Sequence, residues 1–245
     1  MIPNDPLPAT SSQSPITGGP FWTYFDLLLF ILLAIPGLGV AYLAAAMLAM
    51  FTPLSAPFRL VFAQILWYVL AFGALKVLLL LRYQRPFWRS LGWASLPFSW
   101  TTASLFAGPV LALALGLLGT AIHTPEIPLP FQQLLKDAPT TVLLGLLVVV
   151  FGPLCEELAF RGFLMPLLIR SLGIASGIVI TGIVFGCSHG YEYEWSWRHM
   201  ILISGAGCAF GWVKYKSGST ASAAFMHSTF NLMQFAAFLM QARTI

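Results

Sequence analysis

The sequence predicts an all-α protein, a bundle of about seven transmembrane helices. Hydrophobic residues make up 58% of the 245 residues and charged residues only 8%, whereas about a quarter of the residues in a soluble domain are charged. Apolar runs of about 20 residues, the length that crosses a bilayer core as a helix, recur along the chain. We therefore expect an integral, multi-pass membrane protein.

Seven apolar runs are candidate spans, and a proline-rich loop divides them. The runs cover approximately residues 25–50, 59–81, 101–122, 139–169, 174–189, 200–215 and 219–240. The loop at residues 123–130 cannot continue a helix because proline has no backbone N–H. It separates N-terminal helices (25–137) from a C-terminal core (138–245). Residues 1–24 begin with a stretch rich in Pro, Ser and Thr and are expected to form a disordered tail.

The charges indicate which partners and orientation to expect. The net charge of +4 comes from cations scattered singly at the ends of apolar runs, as expected of residues that anchor a protein in the lipid bilayer. This pattern argues against nucleic acid as a partner. The distribution of Lys and Arg between the loops predicts a cytoplasmic N-terminus by the positive-inside rule.

Two adjacent glutamates, Glu156 and Glu157, are unexpected inside the fourth span, because an ionised carboxylate costs about 2.5 kcal/mol or more there. Glu157 and Arg161 are four residues apart in the favourable order, which predicts an ion pair. Glu156 has no such partner in the sequence. It lies about as far before the turn at residues 171–173 as His189 lies after it. In an antiparallel helix pair the two are therefore at the same depth.

The seventh span adds His227 and Asn231, which are four residues apart and share one face of a helix. Small residues surround them, a composition that lets membrane helices approach closely. We therefore expect this helix at the centre of the bundle, and Glu156, His189, His227 and Asn231 around one intramembrane cavity. Phe185 is expected to pack against His189, one turn away.

These four side chains have the composition of a hydrolytic site. A carboxylate and an imidazole can together take a proton from water, and a second imidazole and an amide can donate hydrogen bonds to an oxyanion. Alternatively, Glu156, His189 and His227 could bind zinc and leave a fourth position for water. The sequence alone does not choose between a metal-free site and a zinc site.

Three motifs in this part of the chain resemble those of the CAAX protease and bacteriocin-processing (Abi) family of intramembrane proteases, which includes the type II CAAX prenyl endopeptidases. They are Glu156-Glu157-x-x-x-Arg161, Phe185-x-x-x-His189 and His227-x-x-x-Asn231. The resemblance implies that Glu156 and His189 activate water, that His227 and Asn231 bind the oxyanion, and that Glu157 and Arg161 support them.

The resemblance implies a membrane-associated protein or lipidated peptide, including a prenylated CAAX-like C-terminus, as substrate. The plasma membrane of a bacterium is the expected location. An alternative function is a non-catalytic scaffold or a bacteriocin immunity protein that uses the same fold. A transporter is a weaker alternative, because the two halves of the chain show no inverted repeat.

Overall fold

A computed structural model describes residues 19–53, 55–127 and 137–242. Residues 1–18 of the predicted tail and the end of the proline-rich loop lie outside the described residues. Within these ranges the chain forms helices and no strands, which confirms the all-α class. The helices are α1 (Tyr24–Phe51), α2 (Ala56–Tyr83), α3 (Phe87–Ser90), α4 (Phe98–Ala121), α5 (Ala138–Leu172), α6 (Ile174–Ser188), α7 (Trp197–Ser217) and α8 (Thr220–Ala242).

The helices match the predicted spans in position, but the count of seven spans is not confirmed. In the described part of the chain, α1, α2, α4 and α5 are long and apolar enough to cross a membrane. Helix α6 is apolar but has only 15 residues. Small and polar side chains make α7 and α8 less apolar, and α7 also carries charged residues. Large apolar side chains cover the outside of the long helices, as expected of an integral membrane protein in contact with lipid; examples are Leu32, Ile35, Leu43, Val69 and Phe106.

Helix α5 contains two wider, π-helical turns, at Leu147–Phe151 and Leu158–Leu164. In each of them the chain makes a hydrogen bond to the carbonyl five residues earlier, for example from the N–H of Gly152 to the Leu147 oxygen. A proline follows shortly after each wide turn, Pro153 after the first and Pro166 after the second. Proline cannot donate to the preceding turn and clashes with it, so the wide turns allow α5 to continue.

The C-terminal helices approach one another closely. On α6, a β-carbon at Gly182 would lie only 2.9 Å from the Ser204 carbonyl oxygen of α7, so only glycine fits there. Helix α8 packs against α4, α5 and α7, and its small residues Ala221, Ala223 and Ala224 are buried. The first half of this helix is therefore enclosed by α4, α5 and α7.

The end of the predicted tail is packed, which the sequence analysis did not anticipate. Trp22 is only 3% exposed, its indole N–H donates to the Phe163 carbonyl at 3.0 Å, and its ring stacks on that of Phe163 at 5.4 Å. The Tyr24 hydroxyl donates to the Leu167 carbonyl at 3.2 Å. The expectation of disorder up to residue 24 is therefore wrong for these residues, because the polar composition of the tail obscured two aromatic anchors.

A polar cluster fixes this N-terminal segment to the end of α2. The Asp26 carboxylate is buried and pairs with Arg82 at 2.9 Å. It also accepts hydrogen bonds from the Tyr83 hydroxyl at 2.6 Å and from the Thr23 backbone N–H at 2.8 Å. The segment before α1 is thereby held where Trp22 meets α5.

We expect Trp22→Ala to destabilise the protein by about 3–5 kcal/mol, because it removes a large buried ring. Trp22→Phe keeps an aromatic ring but leaves the Phe163 carbonyl without its donor, so about 1–3 kcal/mol is expected. Unfolding of the purified protein in detergent measures both. Trp197→Phe is the matched control, because Trp197 is 59% exposed. An equal loss in Trp197→Phe and Trp22→Phe would contradict the anchoring role.

Candidate functional site

The two glutamates lie on the short α-helical stretch Gly152–Glu157, between the two wide turns of α5. Their environments differ sharply. The Glu157 side chain is completely buried, whereas the Glu156 side chain is 28% exposed. Wide helical turns are common at functional sites because they redirect side chains without ending the helix. Here they flank one enclosed carboxylate and one accessible carboxylate.

Glu157 is neutralised by Arg161, as the four-residue spacing predicted. The Arg161 guanidinium donates to Glu157 Oε1 at 2.8 Å, and both side chains are fully buried. A second guanidinium N–H donates to the Gly207 carbonyl of α7 at 2.7 Å. The guanidinium also lies over the Phe185 ring, 4.5 Å from its centroid. This buried ion pair therefore joins α5, α6 and α7.

His227 of α8 lies between the two glutamates. Its Nδ1 is 2.9 Å from Glu157 Oε1, and its Nε2 is 3.9 Å from Glu156 Oε2. Because a carboxylate paired with arginine can only accept, we assign the Nδ1 proton to the bond with Glu157. The ring stacks on Phe210 at 4.5 Å. Glu157 thus orients His227 so that Nε2 faces Glu156.

His189 follows the last residue of α6. Its Nδ1 lies 2.8 Å from the Phe185 carbonyl oxygen, which assigns the proton to Nδ1 and leaves Nε2 as the free acceptor in the neutral ring. The Phe185 ring contacts the His189 ring at 4.7 Å, as predicted, and the His227 ring at 5.6 Å. Phe185 therefore lies against both imidazoles.

Asn231 lies one turn after His227 on α8, and its amide already has one backbone partner. Nδ2 donates to the Val148 carbonyl at 2.8 Å, within the first wide turn of α5. An asparagine amide has two N–H groups, so one of them remains for another acceptor. Asn231 therefore anchors the wide turn before Glu156 in addition to any role toward a ligand.

The three residues that were predicted as alternative zinc ligands do not fit a metal site in this arrangement. Among the described residues, no three His, Cys, Asp or Glu side chains are grouped closely enough to hold a metal ion. His227 Nε2 and Glu156 Oε2 are 3.9 Å apart, and a tetrahedral zinc needs a third ligand beside them. In the described part of the chain, Glu156, His189 and His227 therefore do not form a tetrahedral zinc site.

Glu192 is a residue that the sequence analysis did not place in the site. It lies in the loop between α6 and α7, where its aromatic neighbours Tyr191 and Trp195 are exposed. Burial raises the pKa of Glu192, His189 lowers it and the Glu156 carboxylate raises it. Glu192 is therefore close enough to interact with both residues. Its sequence context of aromatic neighbours gave no sign of this.

Taken together, the fold and the site define an integral membrane protein with a carboxylate–imidazole cluster enclosed by its helices. Residues 138–233, about two-fifths of the chain, match the model of the family described as type II CAAX prenyl endopeptidase Rce1-like. The resemblance seen in the three motifs is thereby confirmed over this segment, which contains every residue of the predicted site. No curated protein and no solved structure matches the chain.

Proposed function

We propose that the protein is an intramembrane endopeptidase that hydrolyses a peptide bond of a membrane-associated protein, with prenylated CAAX-like C-termini as the first substrates to test. The family match supports this class of activity. The observation that carries the proposal is the contrast between a buried, ion-paired Glu157 and a partly exposed Glu156 that faces an oriented imidazole. Residues 138–245 would form the catalytic core, in the plasma membrane of a bacterium with the N-terminus in the cytoplasm.

In this proposal Glu156 and His189 activate water. A water molecule can hydrogen-bond to Glu156 Oε2 at about 2.8 Å, because this side chain is 28% exposed. Glu156, assisted by the free Nε2 of His189, accepts a proton as the water oxygen attacks the carbonyl carbon of the substrate. The same proton is then available to the departing amine, so no covalent intermediate with the enzyme is required.

His227 and Asn231 stabilise the oxyanion that this attack creates. His227 can donate from Nε2 when both of its ring nitrogens are protonated. The second N–H of Asn231 supplies another donor. Donors that are fixed in advance in a site with little water are worth several kcal/mol to the transition state. The bond from Asn231 to the Val148 carbonyl supports such fixation.

Cleavage of peptides by the purified wild-type protein in detergent tests the proposal. The panel would contain farnesylated and geranylgeranylated CAAX peptides, their unmodified counterparts and an unrelated membrane-spanning peptide, with the cut bond located by mass spectrometry. We expect cleavage of at least one lipidated peptide, with and without a zinc chelator. Folded protein that cleaves no peptide in the panel would favour the non-catalytic scaffold instead.

A further inference from the structure

The site does not end at the boundary of the family match. Gly152, in the helical turn before Glu156, has no side chain, and the space beside it is bordered by three oxygen atoms, two of which belong to side chains. A β-carbon there would lie 3.6 Å from Glu156 Oε1 and 3.9 Å from the hydroxyl oxygen of Tyr68. Tyr68 belongs to α2, which lies outside residues 138–233. An N-terminal helix therefore brings a hydroxyl group to the same small space that the accessible glutamate borders.

Packing fixes the position of Tyr68. It is half-buried and lies against a small apolar cluster of Val61, Leu144 and Leu147, two of which belong to α5. The Tyr68 ring also contacts the ring of Trp67, its neighbour on α2, with 5.3 Å between the ring centroids. The hydroxyl is therefore held at the wide turn of α5 and does not extend into lipid.

The same wide turn also binds Asn231, the amide donor of the site. The Asn231 amide donates to the Val148 carbonyl at 2.8 Å. A β-carbon at Gly152 would lie 3.1 Å from the carbonyl oxygen of Leu147. Tyr68 and Asn231 thus approach neighbouring residues of one turn, Tyr68 from α2 and Asn231 from α8. A substrate carbonyl that is attacked by water at Glu156 would therefore lie near the Tyr68 hydroxyl and the Asn231 amide.

We propose that Tyr68 is a further catalytic residue, whose hydroxyl donates a hydrogen bond to the oxyanion formed when water activated by Glu156 attacks the substrate. This inference rests on the proposed endopeptidase function. The phenol keeps its proton, so the step adds a hydrogen bond and forms or breaks no covalent bond at Tyr68. The N-terminal helices then take part in the chemistry and do more than surround the C-terminal core.

The test is Tyr68→Phe, which removes the hydroxyl and keeps the ring, assayed with the best lipidated peptide of the panel. Loss of one oxyanion donor is expected to lower kcat by about 10²-fold with KM within about twofold, because the bond forms mainly in the transition state. The melting temperature should stay within a few degrees. Tyr42→Phe is the matched control, since Tyr42 on α1 is 52% exposed, and it should behave as wild type.

Wild type and Glu156→Gln are measured in the same assay, so that the two proposals fail separately. If folded wild type does not cleave, the endopeptidase function is overturned, and the role of Tyr68 is overturned with it. If Glu156→Gln cleaves, the role of Glu156 as the base is overturned. If those two behave as expected but Tyr68→Phe keeps the wild-type kcat, only the role of Tyr68 is overturned. A raised KM at unchanged kcat, or a fall in melting temperature that parallels the loss of activity, would also overturn it and assign Tyr68 to packing.

Discussion

Replacing Glu156 by Gln is expected to abolish cleavage, with kcat reduced by at least about 10³-fold, within the range of effects assigned to general-base groups. Glutamine has nearly the same shape but cannot accept the proton of the attacking water. The fold should survive, because the Glu156 side chain is 28% exposed and the buried ion pair uses Glu157. Initial rates at saturating peptide, together with the melting temperature in the same detergent, measure both effects.

Glu194→Gln provides the control for this result. Glu194 is exposed in the loop between α6 and α7, so the same chemical change there should leave the rate unchanged. Glu156→Asp is a second comparison, because it keeps the carboxylate but withdraws it by one methylene group, and an intermediate rate is expected. Residual cleavage by Glu156→Gln at a tenth of the wild-type rate would contradict the role of Glu156 as the base.

Arg161→Ala is expected to destabilise the protein most, by about 3–5 kcal/mol, the usual cost of removing one partner of a buried ion pair. The substitution leaves the Glu157 carboxylate in the buried interior with His227 as its hydrogen-bond partner. It also removes the donor to the Gly207 carbonyl and the group that lies over the Phe185 ring. Thermal or denaturant unfolding in detergent measures the loss.

Two further variants separate charge from packing. Arg59→Ala removes an exposed arginine at the start of α2 and should change stability by less than about 0.5 kcal/mol. The double variant Glu157→Gln with Arg161→Met removes both charges and should recover part of the stability lost in Arg161→Ala. The single variants Glu157→Gln and Arg161→Met are measured beside it. If the double variant loses as much stability as these two single variants added together, the ion-pair explanation is wrong.

The sequence predicted the parts of the fold that follow from composition and from short spacings. Four long apolar helices were expected from their length, and the turn at Gly173 between α5 and α6 was expected from its residues. That turn is present, with Gly173 at a positive φ of 85°. The pair Glu157–Arg161 also follows from spacing alone, because residues i and i+4 are neighbours on any helix.

The contacts between distant elements could not be predicted in the same way. Nothing near His227 in the sequence indicates that its Nδ1 meets Glu157 while its Nε2 faces Glu156. That choice depends on how α8 is rotated against α5. Trp22 was missed for a related reason, because it lies in a segment whose composition suggested a tail while its partner Phe163 is remote in the sequence. Glu192 was missed because its own loop gives no sign that it interacts with Glu156, which lies on another helix.

The two wide turns of α5 change how its amino-acid sequence must be plotted. Each wide turn takes up roughly one extra residue, and successive residues of an α-helix differ in direction by about 100°. A single helical wheel drawn through Ala138–Leu172 therefore assigns wrong directions to residues beyond Leu147, and the error grows again beyond Leu158. Three separate wheels are needed, and only on the middle one do the two glutamates occupy their true faces.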